Sequence, residues 1–337
     1  MGGGIIGLAL SLELRKQNAR VSVVERGEPG REASHAAAGM LADSEFDELS
    51  PAKLLATASA QMYPEFVHEL QDESGLNCDL RSDGTLQYLS AGQPSALSHE
   101  DLAALEPALA KSPLVVAHIK ERSVDPRALT AAAMKAAKHR EVEIHSGSEV
   151  LEILLSNGNA SGVRTSKTTY SAPIVVNCAG AWSGQFGPEP LPTRPVKGQI
   201  LCVVEGPALR HVIRTEHVYI VPRSDGRILI GSTVEEAGFD KRVDPDTILE
   251  LRHDAINLVP QLANARILES WAGLRPGTPD GLPILGETSV PGYFIATGHF
   301  RDGILLAPIT ARLMAQLITG KLPDCDLRPF SSSRFRN

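Results

Sequence analysis

Three glycines at the start of the chain, Gly2, Gly4 and Gly7, fall in a GxGxxG spacing inside the run Gly2-Gly3-Gly4-Ile5-Ile6-Gly7. A helix-compatible stretch follows, with Leu8, Ala9, Leu10, Leu12 and Leu14. Residues 19–24 are then β-rich and end at Glu25. Each part has a mechanical reason. The first glycine permits a tight strand-to-helix turn, the second lets backbone approach a pyrophosphate, and the third lets the helix pack close on the sheet. The helix N-terminus offers free N–H groups and a positive dipole to phosphates. An acid about 20 residues further on accepts hydrogen bonds from a ribose hydroxyl. Glycine clusters also serve plain turns, but here the helix, the strand and the terminal acid all follow. The predicted class is α/β (α+β overall), with a Rossmann-type domain that places Gly2, Gly4, Ile5 and Ile6 at the phosphates and Glu25 at the ribose.

One part of that pattern is missing. The fingerprint normally follows a buried strand, and only Met1 precedes it. That first β-strand would lie in the middle of a parallel sheet. A gap lined by apolar side chains is expected in its place.

At 337 residues the chain is long enough for about two domains. The net charge of −7 is offset by no Lys/Arg run, which argues against binding nucleic acid or an anionic membrane. No stretch approaches the ~18 apolar residues of a membrane span. Cys78, Cys178, Cys202 and Cys325 form no CxxC pair, so neither a zinc site nor a disulfide framework is expected. With no export-type start, a reducing, cytoplasmic setting fits best.

Further along, residues 51–75 carry apolar side chains at helical spacing. Asp83-Gly84, between short apolar alternations, reads as a hairpin. Asp125 and Pro126 start a helix as N-cap and first residue. Asn157-Gly158 marks another hairpin. Residues 174–182 form a buried strand running into a glycine turn. Residues 217–223 read as a strand whose alternation places His217, Tyr219 and Val221 on one face. Residues 271–281, rich in turn formers around Arg275, read as a loop. Such a loop is either plain surface or a rigid frame presenting a guanidinium to a carboxylate. Residues 293–297 form a strand that leads through Gly298 and Gly303 into a helix ending near Leu317.

The small-residue run at 31–42 lets backbone approach a flat ligand, and would equally suit a tightly packed helix. Spacing alone does not choose between NAD and FAD. The choice comes from Glu25-Arg26, Glu32-Ala33-Ser34 and Ala37-Ala38-Gly39-Met40-Leu41. With these, residues 2–42 resemble the D-amino-acid oxidase superfamily of FAD enzymes, and within it the bacterial glycine oxidases of thiazole (thiamine) synthesis. The run Gly298-His299-Phe300-Arg301-Asp302-Gly303-Ile304-Leu305-Leu306-Ala307-Pro308 is the most specific match.

The resemblance implies FAD held without a covalent bond. Related sarcosine oxidases carry a flavin-bonding cysteine near residue 300, and this chain has none between Cys202 and Cys325. Glu25 and Arg26 would hold the adenosine ribose. Ser34 with the Ala37, Ala38, Gly39 and Met40 backbone would lie along the pyrophosphate and flavin ring. Val150 would meet the adenine, unless it is simply a core strand residue. Gly180 and Trp182 would lie near the cofactor. Gly298, His299, Phe300, Arg301, Asp302, Gly303 and Ile304 would meet the flavin. Arg275 and Tyr219 would fix the substrate carboxylate, with His217 and Arg301 close by. On sequence alone, half-buried packing is the other reading of Tyr219. The implied organisation is a discontinuous FAD-binding domain (1–78, 126–183 and 266–337) and a mostly antiparallel substrate domain (79–125 and 184–265).

The implied reaction is oxidative deamination of glycine or a similar small amino acid or amine. Glycine, dioxygen and water would give glyoxylate, ammonia and hydrogen peroxide, with the imine feeding thiazole synthesis. No side-chain acid or base and no metal is assigned. A D-amino-acid dehydrogenase and a sarcosine-type oxidase stay open. So does an inactive flavin-binding protein, because of the absent strand. A homo-oligomer is expected from the family.

Overall fold

A computed structural model of the chain describes residues 1–89, 96–109 and 115–336. One layer is built from short parallel strands. Ser22–Val24 pairs with Glu143–His145, and Val175–Asn177 pairs with Tyr293–Thr297, which also carries antiparallel Ile284–Glu287. Helices Ile5–Lys16, Pro51–Ser74, Pro126–His139 and Ala307–Ile318 share one core with this layer. Fully buried Ala132, Ala133, Ala136 and Ala137 let the Pro126–His139 helix approach its neighbours closely. Asp125 caps that helix by accepting from the N–H groups of Arg127 and Ala128, as the sequence predicts.

Among the described residues, no strand lies between Ser22–Val24 and Val175–Asn177. The backbone of Met1 and Gly2 bridges them at one end. The Met1 ammonium donates to the Val176 carbonyl at 2.7 Å, and Met1 accepts from the Cys178 N–H at 2.8 Å. Gly2 N–H donates to Val24 at 2.9 Å. Beyond this bridge runs a groove walled by Leu10 and Leu14 on one side and Val163 and Tyr170 on the other.

The second layer is a seven-stranded sheet. Its order is Arg266–Gly277, Arg194–Val204, Ile228–Gly231, Tyr219–Pro222, Val212–Arg214, Thr85–Tyr88, Val116–Ile119. All neighbours are antiparallel except Val212–Arg214 with Thr85–Tyr88. Leu201, Ile213, Ile220 and Ile230 pack with the Pro245–Leu258 helix, while Ile200, Tyr219 and Val221 cluster with Ala38. Alternation along Tyr219–Pro222 thus turns Tyr219 toward the first layer.

Four expectations need correction. Asp83-Gly84 does not close a hairpin, because Thr85–Tyr88 takes its partners from Val116–Ile119 and the distant Val212–Arg214. Residues 271–277 are not a loop but the end of the long Arg266–Gly277 strand, which pairs with Arg194–Val204. That pairing joins residues 266–277 to the substrate-side sheet, although the sequence boundary put them with the cofactor layer. His217 is not on a strand face: it sits exposed in a turn closed by the Thr215 N–H to Val218 carbonyl bond.

Candidate active site

An elongated, partly open cleft lies between the two layers. At one end lies Glu25. Its Oε2 accepts from the Gly3 N–H at 2.7 Å and its Oε1 from the Gly27 N–H at 3.0 Å, so the carboxylate is fixed by backbone on both sides. Buried Val150 lines the same end. Arg26 pairs with Glu32 at 2.8 Å and stacks 3.6 Å over the Trp182 ring.

The middle of the cleft is the N-terminus of the Ile5–Lys16 helix. Gly4 caps it without a side chain, and its first turn holds no acid. Ile5 N–H donates to Ser34 Oγ at 3.0 Å. The next N–H groups have no intrahelical partner and face an anion-ready end. Gly2 has φ +99°, and a Cβ there would lie 2.3 Å from the Cys178 carbonyl oxygen, so only glycine fits.

At the far end stand Arg275 and Tyr219. Arg275 Nη1 donates to the carbonyls of Lys197 at 3.3 Å and Thr233 at 3.0 Å, and Nη2 donates to Ser232 Oγ at 2.7 Å. A guanidinium has five N–H donors; these three bonds and a further one with Tyr219 engage most of the fork. Burial lowers the Arg275 pKa; Tyr219 opposes this and Arg301 adds to it. An arginine stays charged throughout. Gly198 makes room for it, since a Cβ there would lie 2.3 Å from both terminal nitrogens.

Residues 298–306 form the remaining wall. The hydroxyls of Tyr63 and Ser59 hold it by donating to the carbonyls of Ile304 and Leu305, each at 2.6 Å. His299 is buried with Nε2 3.0 Å from Thr310 Oγ1, and burial pushes its pKa down to about 3. It is therefore neutral at physiological pH. Burial pushes Asp302 up to about 7, with Arg301 opposing.

The candidate residues from the sequence line this cleft, with three exceptions. His217 is on the exposed turn. Gly298 and Asp302 sit behind their lining neighbours His299, Phe300, Arg301, Gly303 and Ile304. Sequence reasoning missed Gly198, Ser232 and Gly273. Gly198 and Gly273 had a usable signal, since a glycine inside a strand marks a close approach. Ser232 had none.

The donor set fits FAD. A fixed carboxylate, an uncapped helix N-terminus and the small-residue strip at 36–39 follow one another along the cleft, matching ribose, pyrophosphate and a flat ring. Among the described residues, no group of three or more His, Cys, Asp or Glu side chains is placed to hold a metal. Nor is any helix of those residues long and apolar enough to cross a membrane.

Comparison with known proteins agrees with this geometry. The family profile described as FAD dependent oxidoreductase matches residues 1–317. Glycine oxidase from Geobacillus kaustophilus is 36% identical, covering 99% of this chain and 96% of the relative. The bifunctional protein ThiO/ThiG from Trichormus variabilis is 38% identical over 100% of this chain, which spans only 54% of that longer protein. The crystal structure of the Geobacillus kaustophilus glycine oxidase superposes with a TM-score of 0.94, covering 100% of this chain and 98% of that one.

Proposed function

This chain belongs to the FAD-dependent oxidoreductase family, and from that premise we propose that it oxidises glycine, or a similarly small amino acid, to the imine with dioxygen as the electron acceptor. The observation that carries the reading is Arg275, a half-buried guanidinium held by Lys197, Thr233 and Ser232 beside Tyr219 at the far end of the cleft. That pair suits one carboxylate.

FAD, when bound, supplies the two-electron oxidation. The chain supplies binding and orientation. The Gly4–Ile6 backbone would hold the pyrophosphate and Glu25 the ribose hydroxyls. Arg275 and Tyr219 would grip the substrate carboxylate and so fix the position of Cα. His299 is neutral, buried and engaged with Thr310, so it is not placed to exchange a proton with substrate. Likeness to the ThiO/ThiG and glycine oxidase relatives supports a cytoplasmic role in supplying imine for thiazole synthesis.

The test is direct. Purified protein should be yellow, be bleached by glycine without air, and regain colour in air with release of peroxide. A colourless protein sinks the reading. Bleaching without peroxide favours a dehydrogenase. Arg275→Ala should keep the colour and raise KM for glycine on the order of 100-fold. An unchanged KM removes Arg275 from the site.

A further inference from the structure

Arg223 follows the Tyr219–Pro222 strand and is 4% exposed. Its Nε and Nη1 are buried without a hydrogen-bond partner. Leaving donors of a buried cation unmatched is costly, so such a group needs a compensating role. Nη2 makes one bond, donating to the backbone carbonyl of Ala38 at 2.5 Å. The strongest opposing charge is that of Asp125, but its carboxylate is committed to the Arg127 and Ala128 N–H groups and to Arg227 Nη2 at 2.7 Å.

Ala38 and Gly39 both line the cleft. Their peptide bond is not among the cis bonds, and in a planar trans peptide the carbonyl and the next N–H point in opposite directions. With the Ala38 carbonyl turned to Arg223, the Gly39 N–H points the other way. The following peptide is fixed as well, because the Gly39 carbonyl accepts from the Val124 N–H at 2.9 Å. A Cβ on Gly39, which has φ +75°, would lie 2.0 Å from the Val124 carbonyl oxygen, so only glycine fits there.

We propose that Arg223 is a positioning residue for the cofactor: it fixes and polarises the Ala38–Gly39 peptide so that the Gly39 N–H is presented to the flavin ring as a strengthened donor. The inference rests on the FAD reading above. A buried cation acting through an aligned peptide favours negative charge on the reduced ring, because the low-dielectric interior screens it poorly. The same residue ties the strand bearing Tyr219 to the strip bearing Gly39, so substrate and cofactor surfaces share one anchor.

Three variants test this: Arg223→Met removes donor and charge, Arg223→Gln keeps a donor without charge, and Arg223→Lys keeps charge with altered reach. The readouts are FAD affinity of the apoprotein, the flavin absorption spectrum and the flavin midpoint potential. Arg223→Met should weaken FAD binding about tenfold, shift the flavin band and move the potential to more negative values. Arg223→Lys should recover most of the potential, and Arg223→Gln should recover affinity but not potential. An Arg223→Met protein with native spectrum and potential overturns the proposal. So does an Arg223→Lys protein as impaired as Arg223→Met, which would mark a merely structural role. If instead the unaltered chain takes up no FAD, the flavin reading itself falls.

Discussion

The indole N–H of Trp271 donates to the backbone carbonyl of Ala36 over 3.1 Å, joining residues 235 positions apart. Trp271 stands on the strand that carries Arg275, and Ala36 begins the strip that lines the cofactor cleft. A Cβ at Gly273, two residues on, would lie 2.3 Å from the Ala36 Cβ. The two layers therefore touch without a side chain between them at this point. Trp271→Phe deletes the donor and replaces the indole with a smaller aromatic ring that Arg127 can still cover. It should lower unfolding stability by about 1 kcal/mol and leave the Ala36 carbonyl unpaired. Urea denaturation with no change in midpoint would show that this bond contributes nothing.

Gly198→Ala should imitate loss of Arg275 without touching it. The added methyl lands on both terminal nitrogens of the guanidinium, which must move off its Lys197, Thr233 and Ser232 acceptors. KM for glycine should rise at least about tenfold, because a misplaced carboxylate clamp loses charge-assisted bonds. The flavin spectrum should stay near native. Steady-state kinetics with an unaltered KM would show that the guanidinium has room to spare.

Glu25→Gln should weaken FAD binding by about tenfold while preserving the fold. The amide can still accept from the Gly3 N–H or the Gly27 N–H but not both, and it has lost its charge. Titration of apoprotein with FAD measures this directly. Equal affinity would place the ribose elsewhere.

His299 and Asp302 give stability opposite pH dependences. Burial lowers His299 from 6.5 to about 3, so the folded state resists protonation and the stability it contributes is lost as pH falls from 6.5 toward 3. Burial raises Asp302 from 3.8 to about 7, so its contribution is complete below 3.8 and is lost as pH rises toward 7. Asp302→Asn should therefore gain thermal stability on the parent chain from pH 4 to 7 and hold that gain above. His299→Gln should flatten the acid side instead. Melting curves across pH 4 to 8 decide both; parallel profiles for parent and Asp302→Asn would remove Asp302 from this account.

Local patterns were legible because their hydrogen bonds close within a few residues or within one βα unit. Asp125 caps its own helix two and three residues on. Asn157-Gly158 closes the hairpin between Val150–Ser156 and Asn159–Thr165. Gly2, Gly4 and Glu25 belong to one helix–strand unit, and the acid reaches back to Gly3. From these alone the chain's class and its cofactor end could be read. Asp83-Gly84 misled because the strand after it pairs with residues far along the chain. His217 misled because alternation was carried two residues past the start of the Tyr219–Pro222 strand.

The site's reactive end was decided by tertiary structure. Glycines and prolines around Arg275 look like turn signals in one dimension, yet Gly273 and Gly277 lie in a strand paired with Arg194–Val204. Their lack of side chains serves close approach between elements, not reversal of the chain. The acceptors that hold Arg275 come from Lys197, Ser232 and Thr233, and the Ala38 carbonyl meets Arg223 across 185 positions. Short-range residue preference specifies which segments can be helix, strand or phosphate loop. Which buried donor meets which acceptor depends on how the two layers pack, and no local pattern encodes it.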